Sequence, residues 1–151
     1  MKARVRLSLR LALVFISALA LLGSDGDTPV SGFNPVLTVN SASDPGVGVC
    51  DIAECTLREA IDAANGNPGI DTIEFSIGTG TQTIAPVSAL PVITDPVIID
   101  GSTQPCPSHP CIELRGTNAG NNTYALKITA GGSTVRGLVL NRFGGTGFGG
   151  G

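Results

Sequence analysis

The run Leu126-Lys127-Ile128-Thr129-Ala130-Gly131-Gly132-Ser133-Thr134-Val135-Arg136-Gly137-Leu138-Val139-Leu140-Asn141 decides how this 151-residue chain is read. Two strand-like segments, 126–129 and 134–140, are joined across a Gly-Gly corner, and Gly147-Phe148 follows Ala125-Leu126 at a distance of 22 residues. A period of ~20–25 residues with Gly and Asn at the corners marks a solenoid, in which each repeat buries its apolar positions against the next. Working backward, the segments 112–115, 97–100 and 82–85 are short and bounded by Gly, Asn, Pro or Asp, and 72–77 alternates apolar with polar residues. No amphipathic helix lies between these segments to carry a parallel crossover. An antiparallel sandwich and a coil of parallel strands are therefore the two candidates, and the glycine corners favour the coil. The expected class is mostly β.

Upstream of these strands lies one helical pattern. Thr56 followed three residues later by Glu59 forms a capping box, in which each side chain accepts a bond from the other's backbone N–H. Leu57, Ala60, Ile61 and Ala64 fall at i, i+3, i+4 and i+7, a single apolar stripe. Asn65-Gly66 supplies a left-handed stop and Pro68 bars continuation, so the spacing predicts a two-turn helix over 57–64. A helix this short does not stand alone in water and needs an apolar surface to lie on. Arg58 reads as a surface cation, and Asp62 as paired with Arg58 across one turn or with solvent. Ahead of the helix, 36–40 reads as a strand and 43–48, Ser-Asp-Pro-Gly-Val-Gly, as a turn. Asp44, the glycines and Asp51 offer oxygens to calcium, but their spacing matches no EF-hand loop and a plain turn is the simpler reading.

The first ten residues hold Lys2, Arg4, Arg6 and Arg10, and residues 11–22 are uncharged and overwhelmingly apolar. Small residues at Ala18-x-Ala20 and Ser24-x-Gly26 complete the three-part pattern of a secretory signal. Twelve residues span ~18 Å as a helix against ~30 Å of hydrocarbon, which favours cleavage over anchoring. Residues 1–24 are thus read as a signal peptide and 25–36, with Pro29 and Pro35, as a linker. Export places the four cysteines in an oxidising compartment, where Cys50 with Cys55 and Cys106 with Cys111 read as two local disulfides. The competing reading is one zinc site built from all four thiols, with His109 as a further ligand, although structural zinc prefers tighter spacings. His109, between Ser108 and Pro110, otherwise reads as a solvated turn residue.

Charged residues make up 14% of the chain, against ~25% in an ordinary soluble domain. Beyond the signal, five basic residues (Arg58, Arg115, Lys127, Arg136, Arg142) face twelve acidic ones, a net charge of −7. Such a surface carries no footprint for nucleic acid and does not dock on anionic lipid.

The stretch Cys55-Thr56-Leu57-Arg58-Glu59-Ala60-Ile61 closely resembles the Cys-Ser/Thr-Leu-Arg-Glu-Ala motif of the CSLREA N-terminal domain family. The flanks agree: Leu37-Thr38-Val39-Asn40-Ser41 before it, and Ala64-Asn65 with Pro68-Gly69-Ile70-Asp71-Thr72-Ile73 after it. Downstream, Leu90-Pro91-Val92-Ile93-Thr94-Asp95-Pro96-Val97 and Asp100-Gly101-Ser102-Thr103-Gln104-Pro105 look like the first coils of such proteins. The resemblance covers about residues 37–143. It implies a secreted or surface bacterial protein in which this segment begins a long right-handed parallel β-helix, and it carries no catalytic residue. Since a solenoid exposes the apolar end of its first coil and needs a cap, the helix over 57–64 suits that place. Thr56, Arg58 and Glu59 then become structural residues.

The expected function is an exported, non-catalytic scaffold, adhesin-like or glycan-contacting, whose partner is an extracellular glycan or cell-surface component. No membrane span remains once the signal is removed, and no cofactor is expected beyond the calcium weighed above. The alternative is the N-terminal part of a polysaccharide lyase or hydrolase whose active site lies in coils downstream. Catalysis on such a frame needs several carboxylates, or calcium-binding acids with a cation, facing one groove. Asp95, Asp100, Glu113, Arg115, Arg136 and Arg142 are the candidates here, and no two form a recognisable motif; a Glu59/Asp62 pair is disfavoured because capping already explains Glu59. Residues 144–151 are nearly all glycine, and the reading favours further coils beyond Gly151 over an associating end.

Overall fold

The computed structural model describes residues 34–144; the signal and most of the linker, together with Gly147-Phe148, lie outside them. The elements in order are β1 (Val36–Val39), α1 (Leu57–Gly66), β2 (Asp71–Phe75), β3 (Gln82–Ile84), β4 (Val97–Asp100), β5 (Ile112–Arg115), β6 (Thr134–Arg136) and β7 (Leu138–Asn141), with 3-10 turns at Gly101–Thr103 and Gly116–Asn118. Strands thus predominate over helix.

Every ladder among the described residues is parallel. One sheet has the order β1-β2-β4-β6 and the other β3-β5-β7. A third line of contact is the parallel bridge between Ile93 and Ile128. From β2 the chain runs to β3 in the second sheet, to Ile93, back to β4 in the first sheet, to β5, to Ile128 and back to β6. The antiparallel alternative is excluded.

The spacing between paired strands is longer than the period expected from sequence. In the first sheet Val36 lies beside Thr72, Asp71 beside Val97 and Ile98 beside Thr134, advances of 36, 26 and 36 residues. In the second, Gln82 lies beside Ile112 and Ile112 beside Leu138, advances of 30 and 26. The extra residues are excursions. Asp100 and Ile112 are separated by the Gly101–Thr103 turn and the cysteine-bearing loop, whereas Arg136 and Leu138 are separated by Gly137 alone.

That glycine corrects the expectation of one strand over 134–140. Gly137 has φ +71, and an added Cβ would sit 2.5 Å from the Ser102 nitrogen. The corner beneath it is equally close: a Cβ on Gly101 would lie 2.2 Å from the Gly137 carbonyl oxygen. Two backbones stack there with no room for side chains, so the strand breaks and its halves join different sheets. The strand expected at 126–129 reduces to the bridge at Ile128, where Ile93 N–H donates to Lys127 O at 2.8 Å and Thr129 N–H to Ile93 O at 2.9 Å. Its partner segment is flanked by Pro91 and Pro96, which lack the N–H groups a longer ladder needs.

Alternation sorts the strand residues into an inner and an outer set. The inner ladder of the first sheet is Leu37-Ile73-Ile99-Val135 by register, and that of the second includes Ile84-Leu114-Leu140. Ile73, Ile99, Ile84 and Leu114 are enclosed, while Val135 and Leu140, on strands that among the described residues have a neighbour on one side only, are 36% and 47% exposed. At the opposite end α1 packs its stripe into the same core. Leu57, Ala60, Ile61 and Ala64 are all buried, together with Val39, Ile73 and Phe75.

Candidate functional site

Two sets of residues carry polar chemistry: the turn that starts α1, and the outward-facing charged residues of the two sheets.

At the start of α1 the capping box forms as the sequence predicts. Glu59 N–H donates to Thr56 Oγ1 at 3.3 Å and Thr56 N–H to Glu59 Oε2 at 2.8 Å. The other Glu59 oxygen accepts the Gly48 N–H. Burial pushes the Glu59 carboxyl up, but N–H groups of Thr56, Gly48 and Val49 and the Thr56 hydroxyl outweigh it and hold it below its ordinary value. Glu59 is therefore a buried, ionised hinge between helix and turn. Gly46 makes this possible: its φ is +83, and a Cβ would meet Glu59 Oε1 at 2.6 Å.

Arg58 is not the surface cation expected: it binds Asp44, and of the two alternatives for Asp62 the solvent one holds. Its Nε and Nη2 donate to the two oxygens of Asp44 at 2.7 and 2.9 Å, and Nη1 donates to Ala89 O at 2.8 Å. Asp44 also accepts the Val87 N–H at 2.8 Å. This fork ties the 43–48 turn and the 85–90 segment to the helix, using the planar match of guanidinium to carboxylate. Asp62 is exposed. Of the oxygens weighed for calcium, both of Asp44 are held by Arg58, and Asp51 Oδ1 accepts the N–H groups of Ala53 and Glu54 in its own loop.

The helix end also differs from expectation. Gly66 is the last helical residue and Asn67, with φ −114, is the cap, so no left-handed stop forms. Asn65 does something else. Its amide donates to Val92 O at 2.8 Å and accepts from Thr94 N–H at 2.8 Å, so it serves the backbone groups flanking Ile93 as a neighbouring strand would.

Cys50–Cys55 and Cys106–Cys111 are disulfide-bonded. Asn40 braces the first, accepting Cys55 N–H on Oδ1 at 2.7 Å. The second closes the excursion between β4 and β5. The four-thiol zinc reading fails, because the thiol group that clusters with a further ligand is Cys106, His109 and Cys111 alone.

Of the candidate catalytic residues, Asp100 and Arg136 lie on the first sheet, Glu113 and Arg115 on the second, and Asp95 and Arg142 in the connecting segments. Asp100 accepts Arg136 Nη2 at 2.6 Å and the N–H and hydroxyl of Ser102 at 3.0 and 2.6 Å, and Arg136 before all else brings its carboxyl down to about 2. Glu113 accepts Asn141 Nδ2 at 2.6 Å, Thr83 Oγ1 at 2.7 Å and Arg115 Nη2 at 2.6 Å; these donors, Asn141 foremost, bring it to about 2. Asp95 accepts the Gly69 N–H at 2.9 Å. Arg142 sits at a left-handed corner, φ 58. The two low carboxyls stay ionised at neutral pH and tied to donors, a poor arrangement for a general acid. What the arrangement offers is an outward array of guanidinium, amide and hydroxyl groups.

Sequence reading missed Gln104. Its buried side chain accepts Ile77 N–H at 2.9 Å and donates to Ile77 O at 3.1 Å and Gly80 O at 3.2 Å, so it continues the parallel ladder where the backbone has turned away. Asp71 was missed as well: it is fully enclosed, one oxygen held by Asn67 at 2.8 Å and the other, Oδ2, without a partner. Burial pushes its carboxyl up, and the charge of Asp95 adds to this.

No described helix is long and apolar enough to cross a membrane. Comparison with family models, curated proteins and solved structures finds no match.

Proposed function

We propose that this chain is the beginning of an exported right-handed parallel β-helix, a non-catalytic scaffold whose outer face contacts glycan at the cell surface. The observation that carries the reading is the pairing: each strand lies parallel to one a circuit later, with apolar residues stacked inside and α1 seated at the first rung. The motif Cys55–Ile61, with its resemblance to a domain that precedes such coils, supports the same order. Two disulfides and the apolar leader support export.

The glycan-contacting face is assigned to Thr83, Glu113, Arg115 and Asn141. Their bonds to one another fix planar donors and acceptors in advance, as recognition of sugar hydroxyls requires. The experiment is a glycan array probed with the mature chain, beside an assay for polysaccharide cleavage. Binding that falls when Arg115 and Asn141 are replaced by alanine, with no cleavage, is the expected result. Cleavage lost in Asp100→Asn or Glu113→Gln would replace the scaffold by the lyase or hydrolase reading.

A further inference from the structure

We infer that the loop Cys106-Pro107-Ser108-His109-Pro110-Cys111 is a redox-gated site for a thiophilic cation of the zinc class. The inference is independent of the scaffold reading. Ligand atoms of Cys106, His109 and Cys111 all lie within 4.8 Å of one another. The imidazole faces the sulfur directly, with Nδ1 3.4 Å and Nε2 3.9 Å from Cys106 Sγ. The Cα atoms of the two cysteines are 6.5 Å apart, a separation that already lets two sulfurs reach one ion at the ~2.3 Å Zn–S distance. Pro107 and Pro110 restrict the backbone on either side of Ser108 and His109, so the loop stays near this geometry when the sulfur–sulfur bond opens.

Access is asymmetric. Cys106 is half-buried and His109 exposed, whereas Cys111 is buried. A dithiol reductant therefore attacks the Cys106 sulfur. Its thiolate bonds to Cys106, and Cys111 leaves as thiolate. The reductant's second thiol then displaces Cys106, giving a cyclic disulfide on the reductant and two cysteines on the chain. A zinc ion next replaces the thiol protons and takes two thiolates and one imidazole nitrogen, with solvent in the fourth position on the exposed side. While the disulfide is closed neither sulfur is a thiolate and the site is shut. The loop is an excursion that the next circuit replaces by Gly137 alone, so its opening leaves the ladders intact.

The test uses the mature chain reduced with a water-soluble phosphine, which gains oxygen from water as the disulfide gains two protons. Titration with Co2+ alone should give a thiolate-to-cobalt charge-transfer band at one ion per chain, absent before reduction. Cys106→Ser should abolish the band and His109→Ala should weaken binding at least about tenfold, the loss that even an outer-sphere partner causes. A band that survives Cys106→Ser, or an affinity unmoved by His109→Ala, overturns the proposal. A second measurement avoids variants: Zn2+ should slow alkylation of the half-buried Cys106 in the reduced chain while leaving that of Cys50, also half-buried, unchanged. Alkylation of Cys106 that Zn2+ leaves unchanged also overturns it.

Discussion

At the scale of single residues, most polar groups of this chain are spent on holding backbone in place. Thr56 is the simplest case. It caps α1 from a fully enclosed position, so Thr56→Ala is expected to cost about 1 kcal/mol, read as a lower midpoint in chemical denaturation while Thr56→Ser stays near wild type. The corner glycines are stricter. Gly137→Ala places a methyl against the Ser102 nitrogen in a left-handed conformation, and should cost about 1–3 kcal/mol. Gly131, whose Cβ direction is open, should accept alanine within about 0.5 kcal/mol; equal midpoints for the two variants would refute the stacked-corner account. Asp71 gives a pH signature. Its folded carboxyl lies above its unfolded value because burial disfavours the charge, so the stability it contributes is complete below the unfolded value and lost as pH rises through the folded one. Asp71→Asn should therefore raise the melting temperature at neutral pH and leave it nearly unchanged near pH 3. Asp100 and Glu113 act in the opposite sense: both are depressed to about 2, and their stability is present above about pH 4 and fades as pH falls toward 2.

At the scale of elements, α1 and the strands were legible from sequence to different depths. The capping box and the stripe at 57, 60, 61 and 64 are local patterns, and their consequences are local, so the helix start and its buried face follow from residue order. Its end did not follow, because Asn65 answers to the backbone around Ile93, 28 residues away, rather than to its own turn. Likewise 134–140 has the composition of one strand, and only the presence of Gly101 beneath Gly137 reveals the corner. Arg58 was misread for the same reason: the i to i+4 partner Asp62 is visible in sequence, whereas the fork to Asp44 depends on where the 43–48 turn comes to rest. The Cys106–His109–Cys111 group needed no distant information, yet its ligand geometry rests on how the excursion folds back. One substitution tests the helix as an element. Leu57→Ala removes the first buried contact of the stripe and should cost about 2–5 kcal/mol. If α1 seals the first rung, amide exchange in β1 and β2 should accelerate in this variant while β5 and β7 stay unchanged; a uniform acceleration would mean that the helix merely adds to a global core.

At the scale of the whole molecule, each strand pairs with the next one in its sheet order, and the proposed β-helix would make the fold nearly one-dimensional. In such a stack stability is close to a sum of rung terms and nearest-neighbour interfaces, and unfolding starts where an interface is missing. Among the described residues β2, β4 and β5 are paired on both sides, whereas β1, β3, β6 and β7 each have one free edge. The free edges are not equivalent. β1 has α1 beside it and its Val39 is fully enclosed, whereas β6 and β7 leave Val135, Val139 and Leu140 more than a third exposed. Native-state hydrogen exchange should therefore give a gradient, slowest in β2 and β4, and fastest in β6 and β7, with β1 well above β6 in protection although both are edge strands. The comparison of β1 with β6 is the decisive one. Strand length and edge position alone would make them exchange alike, because β1 has four residues and β6 three. A capped stack requires them to differ. Equal exchange at the two edges would leave α1 without its sealing role, and with it would fall the reading of this segment as the first rungs of a longer coil.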